Sequence, residues 1–206
     1  MAKKITDNFG MYFITDSTVT KTSVISQVEQ ALKAGVRIIQ YREKNLPTLV
    51  MYLHAKEIRK LINDRAIFII NDRIDICLAV DADGIHLGND DIPYASARGI
   101  LGNRIIGLST HNINEAVTAE NEGADYISIG PIFPTKTKPY HHEPVGTDML
   151  REISKKIKIP FVAIGGINRN NLQEVLNAGA RNIALISDIL TKKDIKKELL
   201  KCKSRI

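Results

Sequence analysis

Short apolar runs alternate with longer amphipathic stretches along most of the chain. The runs are rich in Ile, Val and Phe, and most are apolar at consecutive positions, as is typical of strands that are covered on both faces. They cover residues 11–15, 36–40, 66–70, 84–87, 104–109, 126–130, 161–166 and 182–187. The pattern therefore predicts eight buried strands of a parallel sheet.

The stretches between these runs have the periodicity of amphipathic helices. They cover residues 23–35, 48–62, 112–123 and 170–180. Gly35 and Gly123 end two of them, as is typical of a helix stop. Pro47 precedes another, and Asn112 and Glu115 have the spacing of a capping box. We therefore predict helices over these ranges.

A weak internal repeat relates every second strand. The segments KAGVRIIQ, DADGIHLG, EGADYISIG and NAGARNIALIS lead into the second, fourth, sixth and eighth runs. Eight strand–helix units with such a repeat predict an α/β fold, a single-domain (β/α)8 TIM barrel over residues 1–206. The alternative is a doubly wound open sheet, which usually carries GxGxxG after its first strand, and FITDST contains no such motif.

Composition limits the classes of function. The 206 residues are 44% hydrophobic and 25% charged, as expected for one globular domain with a substantial core. We expect no membrane contact and a cytoplasmic location, because no segment has the length of a membrane span and the N-terminus lacks the apolar core of a signal peptide.

Charge and cysteine content limit the possible classes of function further. Cys77 and Cys202 have no metal-binding spacing, so we expect two free thiols. The net charge of +6 comes largely from lysines near the C-terminus. They alternate with apolar residues at helical spacing, which favours a solvated helix over a nucleic-acid site.

Polar residues collect where the predicted strands end. In a parallel barrel, catalytic groups lie at the carboxyl ends of the strands, because the loops that follow them meet there. The polar side chains at this end include Asp16, Arg42, Lys44, Asn71, Asp72, Asp91, Ser109, His111, Ser187 and Asp188. We therefore predict one functional rim.

The last two strands lead into a predicted phosphate site. Gly165 and Gly166 follow the seventh strand, and Ser187 follows the eighth, each close to the start of a helix. Backbone N–H groups at such starts bind phosphate, and barrels commonly hold one at these two loops. The alternative is that the glycines only permit tight turns.

Two aspartates on neighbouring loops suggest a cation site. Asp72 and Asp91 follow the third and fourth strands, and Mg²⁺ typically takes one or two carboxylates together with phosphate oxygens. Arg42 and Lys44, one strand away, would complete a metal–diphosphate site. Two alternatives remain open: each aspartate could instead cap the helix that follows it, or Asp90 could replace Asp91 as ligand.

The histidines are weaker candidates for functional residues than the aspartates and glycines. His141 and His142 lack companion ligands at suitable spacing, so we interpret them as loop residues. We expect His86 to be a polar core residue. His111 could be a general acid–base or could bind the free N–H groups at the start of the next helix.

The chain resembles the thiamine-phosphate synthase family from Gln40 to Ser187. The motifs that carry the resemblance are QYREK (40–44), NDR (71–73), ADGIHLGNDD (82–91), GLSTHN (107–112), GADYISIGPIFPTKTK (123–138), VAIGGI (162–167) and IS (186–187). Their number and order make the match specific. It implies a transferase that joins hydroxymethylpyrimidine diphosphate to hydroxyethylthiazole phosphate and releases diphosphate.

The resemblance also implies roles for individual residues. The pyrimidine diphosphate would contact Gln40, Arg42, Lys44, Asn71, Ser109 and Lys138. The thiazole phosphate would contact Thr135, Thr137, Gly166, Ile186 and Ser187. Tyr41, Glu43 and Lys136 lie in the same motifs and are also expected to bind substrate. Asp72 and Asp91 would hold Mg²⁺, and Arg42, Ser109 and Lys138 would stabilise the departing diphosphate.

One departure from the family and three competing functions remain. The family usually has Gln where this chain has Asn89, which leaves the geometry near Asp91 open. The first competing function is that of the related thiazole tautomerase, which would use His111 and no Mg²⁺ pair. The second is a barrel that only binds a phosphorylated ligand, and the third is a phosphosugar isomerase or epimerase. The partners expected are small-molecule substrates and a second copy of the chain in a homodimer.

Overall fold

The computed structural model describes residues 4–135 and 143–206 and shows a closed barrel of eight parallel strands. The strands are β1 Met11–Ile14, β2 Ile38–Tyr41, β3 Ile67–Asn71, β4 Gly84–Leu87, β5 Ile105–Thr110, β6 Tyr126–Ile129, β7 Phe161–Ile164 and β8 Asn182–Ala184. Each strand pairs with the next, and β1 pairs with β8. The predicted (β/α)8 barrel is confirmed, and the open-sheet alternative is wrong.

Helices follow the strands around the barrel. They are α1 Val24–Lys33, α2 Thr48–Ile62, α3 Ile74–Ala79, α4 Tyr94–Leu101, α5 Ile113–Glu122, α6 Gly146–Lys156, α7 Leu172–Asn177, α8 Ser187–Leu190 and α9 Ile195–Lys203. Helix α7 is shorter than predicted, because Asn168 N donates to Asn171 Oδ1 at 2.7 Å and so forms a side-chain-bonded turn before the helix. Among the described residues, no helix combines the length and apolar character needed to cross a bilayer.

Two apolar cores explain why the strands are apolar at consecutive positions. The smaller core fills the barrel interior and includes Tyr12, Ile38, Ile69 and Tyr126. The larger core lies between the strands and the helices and contains the free, buried thiols of Cys77 and Cys202. Because successive side chains of a strand point to opposite faces, every strand except β4 contributes apolar residues to both cores, and β4 contributes only to the larger one.

The last two strands end earlier than predicted. Strand β7 ends at Ile164, and Gly165 and Gly166 then take φ values of +96° and +65°, which no strand residue adopts. Strand β8 ends at Ala184. Gly166 therefore belongs to the loop after β7, and Ser187 is the first residue of α8, directly after the loop that follows β8; both lie at the carboxyl end of the barrel, where the phosphate site is predicted.

The repeat seen in the sequence has a backbone counterpart. Gly35, Asp81, Gly123 and Gly179 have φ values of +72°, +51°, +95° and +99°. Each lies three residues before the start of β2, β4, β6 or β8. A left-handed residue ends the preceding helix and turns the chain into the strand.

The amino end of the barrel is closed by residues 7–10, the segment that precedes β1. Asn182 Oδ1 accepts hydrogen bonds from Phe9 N at 2.8 Å and Gly10 N at 3.1 Å. Asn182 Nδ2 donates to the carbonyl oxygens of Asp7 and Phe161 at 3.0 Å and 3.1 Å. The cavity described next lies at the other end, where the βα loops meet.

Candidate active site

One cavity of about 1040 Å³, including its open mouth, lies at the carboxyl end of the barrel. Eight of the residues implied by the family resemblance line it, namely Gln40, Arg42, Asn71, Ser109, Thr135, Gly166, Ile186 and Ser187. They come from strands or loops on all sides of the barrel. Closure of the sheet therefore brings the two predicted groups of substrate-binding residues into a single space.

Arg42 is held in the cavity wall by a buried ion pair. Its Nη1 lies 2.6 Å from Asp16 Oδ2, and both side chains are at least nine-tenths buried. The other oxygen, Asp16 Oδ1, accepts from the N and Oγ1 of Thr18 at 2.8 Å and 2.5 Å. Asp16 thus fixes the guanidinium and organises the loop after β1, a role that the sequence did not reveal.

Asn71 has an unused hydrogen-bond donor. Its side-chain amide nitrogen is buried and has no partner among the described residues. Leaving such a group unsatisfied costs about 1–3 kcal/mol, so native proteins rarely do it. Because Asn71 lines the cavity, this donor is a candidate contact for a ligand oxygen.

Asp72, Asp91 and Lys44 form a charged cluster beside the cavity. Lys44 Nζ contacts Asp72 Oδ2, and Asp91 Oδ2 accepts from Gly88 N at 2.7 Å. Burial, together with the neighbouring carboxylate of Asp72, raises the pKa of Asp91, although the hydrogen bond from Gly88 opposes the shift. The two carboxylates are therefore close enough to repel each other.

The structure excludes the capping alternative for these aspartates. Arg73 occupies the N-cap position of α3 and Pro93 that of α4, and neither helix start has a side-chain capping bond. Asp72 instead has a left-handed φ of +59°. Asp90 is exposed, whereas Asp91 is partly buried beside Gly88.

The acidic cluster is compatible with a cation that binds phosphate. No group of three or more His, Cys, Asp or Glu side chains suited to a metal occurs within 4–135 and 143–206. The described residues therefore do not provide a complete set of metal ligands. Mg²⁺, however, commonly binds one or two carboxylates and completes its coordination shell with phosphate oxygens and water. Asp72 and Asp91 fit that role.

Tyr41 and Glu43 lie away from the cavity. Tyr41 faces the helix layer, and its Oη lies 3.3 Å from Nδ1 of His54 on α2. Glu43 accepts hydrogen bonds from Ser17 Oγ at 2.6 Å, Lys44 N at 2.8 Å and Asn45 N at 2.9 Å. In this structure Tyr41 packs the barrel and Glu43 shapes its loop. Neither residue lines the cavity, and their expected substrate contacts stay a prediction.

The Glu43 carboxyl has a lowered pKa in this loop. Burial by itself would raise its pKa, but the hydrogen bonds from Ser17 and from the loop backbone outweigh burial and lower it. Hydrogen bonds to the charged form stabilise that form.

His111 lies in the cavity wall and at the start of α5. Its backbone N donates to Glu115 Oε2 at 2.8 Å, and its Nδ1 lies 3.1 Å from the same oxygen. Asn112 caps α5 as predicted, since its Oδ1 accepts from Glu115 N at 2.9 Å. Asn89 Nδ2 donates to Glu115 Oε2 at 3.3 Å, so the shorter side chain at position 89 binds α5.

The glycines after β7 permit a close approach of the loop that follows β6. A Cβ on Gly166 would lie 2.6 Å from the carbonyl oxygen of Phe133, and one on Gly165 would lie 2.5 Å from Pro131. The backbone N–H groups of Gly166 and Ser187 donate to no acceptor within the described part of the chain. The tight packing and the free N–H groups are both present, so the turn interpretation and the phosphate interpretation are compatible.

Three polar side chains of the cavity were not predicted as functional. Tyr12, His86 and Tyr126 line its floor and are joined by hydrogen bonds. His86 is a buried polar core residue, as expected. The two tyrosines could have been noticed as polar tips on strand residues, but only the strand register shows that they meet.

Five residues of the sequence interpretation lie outside the described residues. They are Lys136, Thr137, Lys138, His141 and His142. Thr135 is the last described residue before them, and it lines the cavity.

Comparison with known proteins identifies the family of this chain. A family model described as thiamine monophosphate synthase matches residues 11–189. The thiamine-phosphate synthase of Methanosarcina mazei is 47% identical over 192 residues, which cover 93% of this chain and 80% of that protein. That of Pyrococcus horikoshii is 48% identical over 192 residues, with 93% and 91% covered.

A solved structure also resembles this chain in both fold and sequence. The thiamine phosphate pyrophosphorylase from Pyrococcus furiosus superposes with a TM-score of 0.87 at 40% identity and covers 97% of both chains. The chain therefore belongs to the thiamine monophosphate synthase family, whose members are transferase enzymes.

Proposed function

We propose that this protein is a thiamine-phosphate synthase that joins hydroxymethylpyrimidine diphosphate to hydroxyethylthiazole phosphate and releases diphosphate. The observation that carries the proposal is the cavity at the carboxyl end of the barrel, which is lined by four residues expected for the pyrimidine diphosphate and four expected for the thiazole phosphate. Family membership supports the activity, and the donors and charges of the cavity support the substrates.

The pyrimidine diphosphate would lie against β2, β3 and β5. Gln40 and Ser109 would bind the ring, and the unpartnered amide of Asn71 would donate to the diphosphate. Arg42, oriented by Asp16, and Lys44, beside Asp72, would supply positive charge. Lys138 is expected to contribute a further positive charge.

Asp72 and Asp91 would hold one Mg²⁺ at the mouth of the cavity. When bound, the ion would neutralise charge on the diphosphate and remove the repulsion between the two carboxylates. Asp72 is also bound by Lys44, so this lysine would stay close to the same phosphate oxygens.

The thiazole phosphate would bind at the loops after β7 and β8. The free N–H groups of Gly166 and Ser187 point to an anion, as is common at these loops of a barrel. Thr135 and Ile186 would complete this side, together with Thr137, and Lys136 is expected nearby.

The reaction needs charge stabilisation and orientation more than proton transfer. The C–O bond at the pyrimidine methylene breaks, and its electron pair leaves with diphosphate. The lone pair of the thiazole nitrogen forms the new C–N bond, so no strong general base is required. Arg42, Lys44 and Lys138 would stabilise the leaving group, and the cavity walls would align the two substrates.

The test is to mix both substrates with the purified protein, with and without Mg²⁺, and to measure diphosphate and thiamine phosphate together. We expect equal amounts of both products and dependence on Mg²⁺. No product from folded protein would contradict the synthase, and proton exchange into the thiazole without Mg²⁺ would instead favour the tautomerase.

Replacement of the proposed ligands tests the metal site. Asp91→Asn should lower kcat about a hundredfold and raise the Mg²⁺ concentration needed for half-maximal rate, because it removes one carboxylate ligand. Asp90→Asn is the matched comparison, with the same change one residue away on an exposed side chain. A large loss of kcat in Asp90→Asn with a small loss in Asp91→Asn would contradict the assignment and would make Asp90 the metal ligand.

A further inference from the structure

Five buried polar side chains form a continuous line of hydrogen bonds across the barrel interior. Gln40 Nε2 donates to Tyr12 Oη at 2.9 Å, and Tyr12 Oη lies 2.6 Å from Tyr126 Oη. Tyr126 Oη lies 2.9 Å from His86 Nδ1, and His86 Nε2 lies 3.1 Å from Ser109 Oγ. The five residues belong to five different strands, so only the closed barrel brings them together.

The direction of this line follows from the orientation of the Gln40 amide, provided that each proton of the line has an acceptor within it. A side-chain amide nitrogen only donates, a hydroxyl donates one proton, and a neutral imidazole carries one N–H. With Gln40 Nε2 donating to Tyr12, the arrangement that gives every proton an acceptor directs the Tyr12 proton to Tyr126 and the Tyr126 proton to His86 Nδ1. Burial raises the pKa of both tyrosines, which keeps both hydroxyl protons in place.

The direction of the line selects one form of the imidazole. In this arrangement His86 Nδ1 accepts from Tyr126, and a neutral imidazole then carries its proton on Nε2. That N–H donates to Ser109 Oγ, and Ser128 Oγ, 3.3 Å from the same nitrogen, can share it. Ser109 is therefore an acceptor toward His86 and keeps its own proton for another partner.

We propose that His86 is a positioning residue that sets which hydrogen-bonding groups Gln40 and Ser109 present to the substrate. With Nε2 of Gln40 bound to Tyr12, its carbonyl oxygen is left as an acceptor for the cavity. The Ser109 hydroxyl is left as a donor, since neither group has another partner among the described residues.

The ligand that fits is a ring edge with an amino group beside an unprotonated ring nitrogen. The amino group donates to Gln40, and the ring nitrogen accepts from Ser109. This rests on the proposed function, because an aminopyrimidine has such an edge. A proton on His86 Nδ1 would instead require the Gln40 amide to be rotated by 180°. Gln40 would then present a donor to the cavity, and Ser109 would present an acceptor.

Tyr126→Phe tests the proposal, because it removes one hydroxyl and keeps the ring. It disconnects His86 from Tyr12 and Gln40, so both amide orientations of Gln40 become accessible. We expect KM for the pyrimidine diphosphate to rise about tenfold, the loss typical of one oriented hydrogen bond, while KM for the thiazole phosphate changes less than about twofold.

Tyr94→Phe is the matched control. It also removes a tyrosine hydroxyl with two hydrogen bonds, to Gly123 O at 2.5 Å and from Arg98 Nε at 3.1 Å, but on the outer helix layer. It should lower the midpoint of thermal unfolding and leave both KM values unchanged. Equal changes of both KM values in Tyr126→Phe, or no change in either, would overturn the proposal. If Tyr126→Phe does not fold, Tyr12→Phe replaces it in the same measurement, because it interrupts the hydrogen bonds between Gln40 and Tyr126.

Nitrogen-15 NMR of His86 in the wild-type protein tests the imidazole form without any substrate. We expect a neutral ring with the proton on Nε2, and a mixture of the two neutral forms in Tyr126→Phe. A proton on Nδ1, or a charged ring at neutral pH, in the wild type would refute the proposed direction. If the wild type forms no thiamine phosphate, the proposed function fails by that measurement alone, and the NMR result still decides the direction of the hydrogen bonds.

Discussion

Carboxylates at the open end of the barrel bind the backbone of their own loops. Asp16 accepts from Thr18 N, Glu43 from Lys44 N and Asn45 N, and Asp91 from Gly88 N. The loops that hold the candidate substrate contacts are therefore shaped by anionic side chains. Charged acceptors form stronger hydrogen bonds than neutral ones, so the geometry of these loops depends on ionisation.

Glu43→Gln should lower the free energy of unfolding by about 1–2 kcal/mol at pH 7, because hydrogen bonds to a charged acceptor are replaced by weaker ones. The pKa of Glu43 is below its usual value of 4.5 in the folded protein. A lowered pKa stabilises the fold above the unfolded value, and this contribution disappears as the pH falls through the folded pKa.

Urea unfolding at several pH values checks this prediction. The difference between wild type and Glu43→Gln should be largest at neutral pH and should shrink below about pH 4.5. Glu57→Gln, on the exposed face of α2, should differ little from wild type throughout. A difference that grows toward acid pH would contradict the assignment.

At the scale of elements, the repeat in the sequence corresponds to one backbone conformation that recurs before every second strand. A left-handed residue ends the helix three positions before each even-numbered strand. Glycine serves at three of the four positions because it has no Cβ to clash in this conformation. Asp81 at the fourth position shows that the conformation is retained where glycine is absent.

Two glycine substitutions separate backbone strain from crowding. Gly102→Ala, at φ +58° with no atom within 4 Å of the new Cβ, should cost about 1 kcal/mol. Gly179→Ala, at φ +99°, also places its Cβ 2.7 Å from Ser154 Oγ and should cost about 2–4 kcal/mol. Chemical denaturation of both variants measures the difference; equal losses would show that crowding contributes nothing at Gly179.

At the scale of the whole molecule, the two ends of the barrel have different tasks. Asn182 and the segment before β1 close the amino end through four hydrogen bonds. The carboxyl end stays open and carries the cavity. In a barrel, residues at the amino end contribute to stability and those at the carboxyl end to chemistry.

Asn182→Ala should therefore destabilise the fold without altering substrate binding. It leaves the buried N–H of Phe9 and the partly buried N–H of Gly10 unpaired, at about 1–3 kcal/mol for the buried one, and should increase hydrogen exchange at both. Asn177→Ala, at an exposed position of α7, is the control and should leave exchange at these amides unchanged. A raised KM in Asn182→Ala with normal thermal stability would contradict this division of tasks.

Some features of the fold and site were predictable because they depend on local sequence. The consecutive apolar runs indicated strands buried on both faces, and the capping of α5 by Asn112 and its end at Gly123 were confirmed. The motifs placed Gln40, Arg42, Asn71 and Ser109 at strand ends, and all four line the cavity. The metal assignment of Asp72 and Asp91 stays a prediction, although their capping alternative is excluded.

The sequence by itself determined the number of strand–helix units, the end of the barrel that carries polar residues, and the family, because strand periodicity, helix capping and contiguous motifs are local properties of the chain. Only the tertiary structure decided which polar groups meet. Asp16 reaches Arg42, and Gln40, Tyr12, Tyr126, His86 and Ser109 form one line, because strand register and barrel closure set those distances. Tyr41 and Glu43 share a motif with Gln40 and Arg42 yet face elsewhere, since neighbouring strand residues point to opposite faces and loop backbone N–H groups attract a carboxylate.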